Sequence, residues 1–473
     1  MEHSFFNVLI PVKDEKYLVY NSASLELLVI PKREYSDVIT QKYSPFHPKL
    51  LDLIYRGFVT PSAQNQYNDI ATSDKTFKKD NPFIHLTIMM SESCNFSCNY
   101  CNQGQDKEKA VLTQEVVNEI CSYVSQTSCS GSEVDISWFG GEPLLHLDEL
   151  IRYSNLIENV SNLSGATYKG RVLTNGFLLT RKNAEKLYSN NIRVAQVSFD
   201  GDKIAHDQSR YAHKGTGTYD LILANLKETL VTLPPDFKIS LRVNVSSANA
   251  DTLINLVNDL ELKGFNNFKN FVVYWGHIYD PTRSDIDDAL NISDILLDHK
   301  SFGKIELEMN KLLREKSFRA SHTVNETRGN CIATQSNSFV IRPNGDLHKC
   351  YIPVSNKTNS CGSVFDINAA FASGTYQKWN DWSAFSEDNC SGCKLLASCR
   401  GGCPINYISD AYSAETYKCP PSKLFFNEHI FERAINKGLV SRNDWIDSLS
   451  STKPEELRIN KSKLYHVENL KKS

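Results

Sequence analysis

The sequence predicts an α/β chain built around a partial (β/α)6 barrel of the TIM type, flanked by two smaller units. Three observations carry this reading. Between about residues 84 and 320, short Val/Ile/Leu-rich runs alternate with longer helical patterns, six times over. Before that stretch, two strand-like runs precede a helical pattern, which suits a winged-helix-like α+β module. After it, residues 325–425 are rich in cysteine, with Gly and Pro turns and little helical periodicity, as in a loop-rich unit held by metal.

In chain order, Phe5–Val12 and Tyr17–Ile30 read as strands. His47-Pro48 opens a helix with Leu50, Leu51, Leu53 and Ile54, and residues 62–80 are polar and read as a linker. The barrel strands are Phe83–Met90, Val134–Phe139, Lys169–Thr174, Arg193–Phe199, Ile239–Val245 and Phe268–Trp275. Between the first two, residues 113–126 form a helix with Thr113 as N-cap and with Val116, Val117, Ile120, Cys121 and Val124 on one face. Strands separated by helices pair in parallel through right-handed crossovers, and their C-terminal ends carry the chemistry. The expected domains are 1–80, 81–320 for the barrel, 321–425 for the cysteine-rich unit, and 426–473 for a C-terminal helical tail.

Composition narrows the function classes. With 473 residues and 41% hydrophobic content, the chain can bury a core in two or three domains. A net charge of −3 without a basic block speaks against nucleic acid as a partner. No apolar run is long enough for a membrane span, and the N-terminus lacks a basic n-region and an apolar h-region, so a cytoplasmic location is expected. Of the 13 cysteines, 11 fall in or near two groups, which points to reduced thiols on metal rather than to disulfides.

The first group, Cys94, Cys98 and Cys101, follows the first barrel strand with C-x3-C-x2-C spacing. Most iron–sulfur clusters take four thiolates. Three on one tight loop suggest a cubane with an open iron, the alternative being a zinc knuckle with a fourth ligand elsewhere. With an aromatic residue, Tyr100, before the third cysteine, the loop resembles the signature of radical S-adenosylmethionine enzymes. Gly140, Gly141, Glu142 and Pro143 after the second strand resemble the family's segment for the methionine amino group. A glycine pair lets backbone approach a ligand, and a carboxylate suits an ammonium. The resemblance further implies that Ser198 and Arg210 contact the cofactor's carboxylate and ribose. Asp200 lies beside them in Ser198-Phe199-Asp200-Gly201. Thr174-Asn175-Gly176 also resembles the family, without a definite role. Asp200 and Glu142 are read as binding or framework residues, so no acid–base catalyst is assigned.

The second group runs Cys331, Cys350, Cys390, Cys393, Cys399, Cys403 and Cys419, with Cys361 between Cys350 and Cys390. This pattern resembles a SPASM domain, the alternative being one or two structural zinc sites. By that resemblance Cys390, Cys393, Cys399 and Cys419 hold an outer auxiliary cluster. Cys331, Cys350 and Cys403 hold an inner one, which Cys361 completes or which stays open. The implied cofactors are S-adenosylmethionine and three [4Fe-4S] clusters, one for radical chemistry and two auxiliary.

The implied activity is reductive cleavage of S-adenosylmethionine to a 5′-deoxyadenosyl radical, followed by hydrogen abstraction and oxidation through the auxiliary clusters. One expected substrate is a ribosomally made precursor peptide, captured through its leader by the N-terminal module and crosslinked by a thioether or carbon–carbon bond. A fold-stabilising cap is the other reading of that module. An anaerobic sulfatase-maturing enzyme is the second reading. It is disfavoured because such relatives carry Asp after the cysteine matching Cys350, where this chain has Tyr351. A non-catalytic iron–sulfur carrier or peptide scaffold is the third. The expected electron donor is a flavodoxin or ferredoxin type protein. Cys121 reads as core, Cys129 as a loop thiol without a role, and His206, His213 and His277 as solvent or supporting residues. Tyr274 and Trp275 read as strand-end packing.

Overall fold

The structure is a computed structural model, and it describes residues 1–39, 44, 46–98, 100–101, 110–212, 215–278, 293–320, 331–352, 354, 357–408, 418–446 and 457–458. It divides into two compact units: Met1–Lys79, His322–Cys331 and Trp382–Ser473 in one, and Asp80–Ser321 and Ile332–Asp381 in the other.

The first unit opens with β1 (Glu2–His3), β2 (Asn7–Val12), β3 (Lys16–Asn21) and β4 (Leu27–Pro31). The strands β2, β3 and β4 form an antiparallel meander. The run expected as one strand over Tyr17–Ile30 is two. Asn21 Oδ1 accepts from the amides of Ala23 and Ser24 at 2.9 and 2.8 Å, and Leu25 takes a positive φ of 65°, which turns the chain back. Helices α1 (Lys32–Ile39) and α2 (Pro48–Tyr55) follow, the latter capped by the His47 side chain. Then come β5 (Val59–Thr60), which pairs with β1, and α3 (Ala63–Lys79).

The segment read as a linker is therefore a 17-residue helix. Its buried residues, Tyr67, Asp74 and Lys78, lie on one face at helical spacing. Two of the three are charged, so hydropathy alone could not reveal the stripe. Asp74 is paired at 3.0 Å with Lys78 and at 3.1 Å with Arg400, which anchors α3 to the cysteine-rich segment. The helix Phe426–Asn436, expected in a polar tail, buries Phe426, Ile430, Phe431 and Ala434 in one cluster with Val8, Ile10, Val12, Leu18 and Tyr20 of the meander. It is thus a core element of this unit.

The second unit holds the barrel. Its strands are β6 (Phe83–Met89), β7 (Glu133–Phe139), β8 (Thr167–Thr174), β9 (Ile192–Phe199), β10 (Lys238–Val245), β11 (Phe271–His277) and β12 (Arg319–Ala320), all parallel to their neighbours in sequence order. β11 begins three residues later than expected, because Phe265–Asn267 forms a short 3-10 turn before it. On the other side of β6 the sheet continues through β13 (Ser338–Ile341), parallel to β6, and then antiparallel β14 (Asp346–His348) and β15 (Ser360–Ser363). The sheet thus has two edges, β12 and β15, and is the partial form of the barrel. Residues 332–381, expected in a single cysteine-rich domain, belong with this sheet.

Alternation along the strands sorts the two faces. Ile84, Leu86 and Ile88 of β6 and Val134, Ile136 and Trp138 of β7 are buried in one core with Val116, Val117, Ile120 and Val124 of helix α4 (Gln114–Thr127) and Leu150 and Ile157 of α5 (Leu147–Leu163). The intervening residues are more polar and face the barrel interior, where Arg171 pairs with Asp135 and His85 lies 3.8 Å from the same carboxylate. Among the described residues no helix is long and apolar enough to cross a membrane.

Candidate active site

The cysteine loop leaves the C-terminal end of β6 and is held from several sides. Glu92 accepts from Arg342 Nε and Nη2 at 3.0 and 2.6 Å, which ties the start of the loop to the end of β13. The amides of Gly141 and Glu142 donate to the carbonyls of Ser91 and Ser93 at 2.8 and 2.9 Å. A Cβ on Gly140 would stand 2.2 Å from the Ser91 carbonyl oxygen, and one on Gly141 would stand 2.0 Å from that of Ser93. The glycine pair therefore admits the backbone of the cysteine loop itself. Cys94, Cys98 and Cys101 are all partly buried, and the amide of Phe96 donates to Cys94 Sγ at 3.4 Å.

Glu142 is fully buried. Its carboxylate accepts from Thr174 Oγ1 at 2.7 Å, from the Asn175 amide at 2.7 Å and from the Leu144 amide at 3.0 Å. Burial raises its pKa, and these donors oppose the shift. Here Glu142 is a bracket between the β7 and β8 ends, not a carboxylate open to a ligand's ammonium. Pro143, also buried, starts the 3-10 turn that follows. Asn175 extends the bracket to the loop, donating to Asn95 Oδ1 at 2.8 Å. The Thr174-Asn175-Gly176 turn thus acquires a definite structural role.

A second network lies at the ends of β9 and β10. Tyr100 donates to Asp200 at 2.6 Å and accepts from Arg210 Nη1 at 2.8 Å and Asn244 Nδ2 at 3.0 Å. Ser209 Oγ also donates to Asp200, at 2.7 Å. Burial works against a charged Arg210, but Tyr100, Cys98 and Asp200 around it outweigh this and raise its pKa well above the ordinary value. Arg210 Nε is buried without a hydrogen-bond partner among the described residues. Asn244, which strand pattern alone does not mark, joins this network because it alternates into the barrel from β10. Ser198 faces the same interior from β9 and is partly buried. His206 accepts from the Asp200 amide at 3.3 Å and packs 4.0 Å from Phe199, while His277 bonds the Leu297 carbonyl at 2.7 Å. Both are supporting residues, and His213 lies outside the described residues.

In the other unit, Cys390, Cys393, Cys399 and Cys419 line one small pocket, together with Tyr407 and Lys423. Lys423 Nζ lies 3.4 Å from Cys419 Sγ, and Cys390 Sγ lies 3.2 Å from the Tyr407 hydroxyl. Burial pushes the Cys390 thiol up to about 11 and the Cys399 thiol up to about 12. Between Cys399 and Cys403 the chain passes through three residues of positive φ, Arg400 (51°), Gly401 (85°) and Gly402 (72°), a reversal that returns Cys403 toward Cys331. Cys350 belongs to the barrel unit and accepts from the Ile352 amide at 3.5 Å. Cys361 is not with these thiols. Strand alternation turns it into the barrel unit's core beside Leu347, Val364, Ala370 and Tyr376, where burial raises its thiol to about 11. Its expected place as a metal ligand is corrected to that of a core residue. Cys121 packs against the same core as expected, and Cys129 is exposed.

The profile described as the Radical SAM superfamily matches residues 88–230, which span the cysteine loop, the Gly140–Pro143 segment and the Ser198–Arg210 region. The barrel is a radical SAM domain. The chain is 22% identical over 428 residues to the radical SAM cyclopropyl synthase TigE of Paramaledivibacter caminithermalis, covering 85% of this chain and 83% of that protein. It is 24% identical over 385 residues to a cysteine-type anaerobic sulfatase-maturating enzyme of Clostridium perfringens, covering 75% of this chain and 98% of that protein. Among solved structures, native anSMEcpe with bound AdoMet and Cp18Cys peptide superposes with a TM-score of 0.57 at 17% identity, over 75% of this chain and 98% of its own. Streptococcus suis SuiB bound to precursor peptide SuiA superposes with a TM-score of 0.53 at 14% identity, over 88% of this chain and 99% of its own. At such identities the structures establish the fold.

As a radical SAM enzyme, the chain works with S-adenosylmethionine and a [4Fe-4S] cluster. Its residues fit that pair. Three thiols share one loop, and a buried guanidinium with an unused Nε suits an anionic group of the cofactor. Among the described residues no three His, Cys, Asp or Glu side chains are arranged to hold a single metal ion.

Proposed function

We propose that this radical SAM enzyme matures a ribosomally made peptide, by oxidative formation of a thioether or carbon–carbon crosslink. The observation that carries the reading is the N-terminal module of five strands and three helices, fused through α3 and the Asp74 pairs to the segment with the four-thiol pocket. Its meander leaves β2 and β4 as edges, and an edge strand can capture an extended leader by strand addition. The peptide-bound relatives support a peptide substrate, and coverage favours the maturase type: the SuiB match extends over 88% of this chain, against 75% for anSMEcpe.

On this reading Cys94, Cys98 and Cys101 hold the cluster that binds S-adenosylmethionine. Cys390, Cys393, Cys399 and Cys419 hold an outer auxiliary cluster, and Cys331 and Cys403 belong to an inner one. Bound cluster and cofactor together supply hydrogen-atom abstraction; binding, orientation and exclusion of water are left to the protein. Glu142 and Asn175 fix the loop, Arg210 and Ser198 hold the cofactor's charged end, and Tyr100 and Asn244 keep Asp200 in place. Auxiliary clusters held by those cysteines would supply an acceptor for the substrate's electron, and a flavodoxin- or ferredoxin-type protein would be the donor of the initiating one. Tyr351, rather than an acidic base, follows Cys350 and rests its ring 6.0 Å from that of Phe139. That disfavours formylglycine formation.

Anaerobic co-expression with the short open reading frames encoded beside the enzyme, followed by peptide mass analysis, tests the proposal. A loss of about 2 Da per modification, the mass of two hydrogens removed by oxidation, is expected. Modification of a sulfatase peptide, with the neighbouring peptides untouched, would transfer the assignment to the sulfatase-maturing type.

A further inference from the structure

Most arginines that face the barrel interior or its rim are engaged: Arg171 with Asp135, Arg342 with Glu92, and Arg210 with Tyr100. Arg242 of β10 differs, having no hydrogen bond or ion pair among the described residues. Its direction follows from strand alternation. Leu241 and Val243 are fully buried in the core, and Asn244 reaches inward to Tyr100 and Asp200, so Arg242, two residues before Asn244, faces inward as well. Its register partners are Ser198 on β9 and Tyr274 on β11.

The fold makes room for this guanidinium. A Cβ at position 276 would stand 2.6 Å from Arg242 Nε and 3.1 Å from its Nη2, so Gly276 lets the fork lie against the β11 backbone. Tyr274 stands beside Arg242 in register and has Tyr351 nearby. Tyr351 is 40% exposed and leans on Phe139 at the end of β7. A half-buried cation beside aromatic rings, on the inward face of the barrel, is stabilised by an anion it can grip, and a planar fork matches one carboxylate.

We infer that Arg242, seated against Gly276 and flanked by Ser198 and Tyr274, binds a carboxylate of the substrate within the barrel: an Asp or Glu side chain, or a C-terminal carboxylate. The inference rests on the peptide reading above for the identity of the substrate. It makes Arg242 a specificity residue that orients the peptide relative to the cysteine loop.

The test is protection of Arg242 from phenylglyoxal in the anaerobically reconstituted full chain, read by mass spectrometric peptide mapping. N-acetylaspartate methylamide serves as the carboxylate probe, N-acetylasparagine methylamide as its neutral isostere, and S-adenosylmethionine alone as the third arm. The aspartyl probe is expected to slow labelling of Arg242 about threefold or more at millimolar concentration, with the asparaginyl probe without effect. Equal protection by both amides, protection by neither, or full protection by S-adenosylmethionine alone would overturn the inference, the last by giving the guanidinium to the cofactor. Selective protection with no peptide ever found modified would keep the carboxylate site and remove the peptide reading. Modified peptides without selective protection would do the reverse.

Discussion

In the barrel unit, three partly buried thiols stand on one loop whose backbone is clamped to its surroundings by Arg342–Glu92, by two glycine contacts and by the Glu142 bracket. In the other unit, four thiols from a 30-residue stretch enclose a small pocket with a buried lysine against one of them. The first arrangement spends its interactions on positioning the loop. The second gathers its thiols around one pocket and sets Lys423 beside Cys419. Three thiols on a held loop suit a cluster that must also bind a ligand; four thiols around one pocket suit one that stores or passes an electron.

The sharpest way to break this comparison is to remove one thiol from each side. Cys98→Ala is expected to lower 5′-deoxyadenosine formation at least about 1000-fold with far-ultraviolet circular dichroism unchanged, as removal of a group that acts only as part of a unit does. Persistent cleavage would detach the loop from the chemistry. Cys399→Ala is expected to release about four iron per chain, one cubane's worth, and to reduce peptide product about tenfold more than it reduces uncoupled cofactor cleavage. Equal losses of both activities would erase the division of labour.

Buried acids sharpen the same contrast at smaller scale. Asp74 in the first unit is paired with Lys78 and Arg400, whereas half-buried Glu306, on helix α10 (His299–Glu315) of the barrel unit, has no ion pair or hydrogen bond among the described residues. Asp74→Asn leaves two buried cations short of a counter-charge and should destabilise the protein by about 3 kcal/mol in urea unfolding. An unchanged midpoint would mean that the pairs are incidental. For Glu306, burial raises the carboxyl from 4.5 to about 8. The folded chain then keeps a proton that the unfolded chain releases, so stability is fully present below pH 4.5 and is lost as the pH rises through about 8. Glu306→Gln should therefore gain about 1 kcal/mol near pH 8 and nothing near pH 4, seen as a flatter dependence of melting temperature on pH. A parallel displacement of the two curves would assign the effect to packing.

The barrel strands were legible because Val, Ile and Leu recur along each short run between helical patterns, and all six appear in the structure, β11 with a displaced start. The Thr113 cap was legible because its chemistry is local: the Thr113 hydroxyl accepts from the Val116 amide at 3.4 Å. Helix α3 was missed because its inward face carries Asp74 and Lys78, whose burial makes sense only once Arg400, more than 300 residues away, is beside them. Cys361, weighed both as a ligand completing the inner cluster and as no part of it, was undecided for the converse reason. Its position among other cysteines suggested a ligand, while the direction of its side chain is a property of β15 in the folded sheet.

What the sequence determined alone was the chemistry that travels with spacing: three cysteines on a short loop after a strand, the Gly-Gly-Glu-Pro turn, and a cysteine set too dense for packing. These are contiguous or nearly so, and local geometry enforces them wherever the loop folds. Tertiary structure alone decided how those groups are held and which are free. It turned Glu142 inward to three donors, set Gly140 and Gly141 against the cysteine loop, brought Asn244 to Tyr100, and left Arg242 open toward the barrel interior. The physical reason is that hydrogen-bond satisfaction and close packing are contests among residues distant in sequence, and only the assembled sheet settles which partners meet.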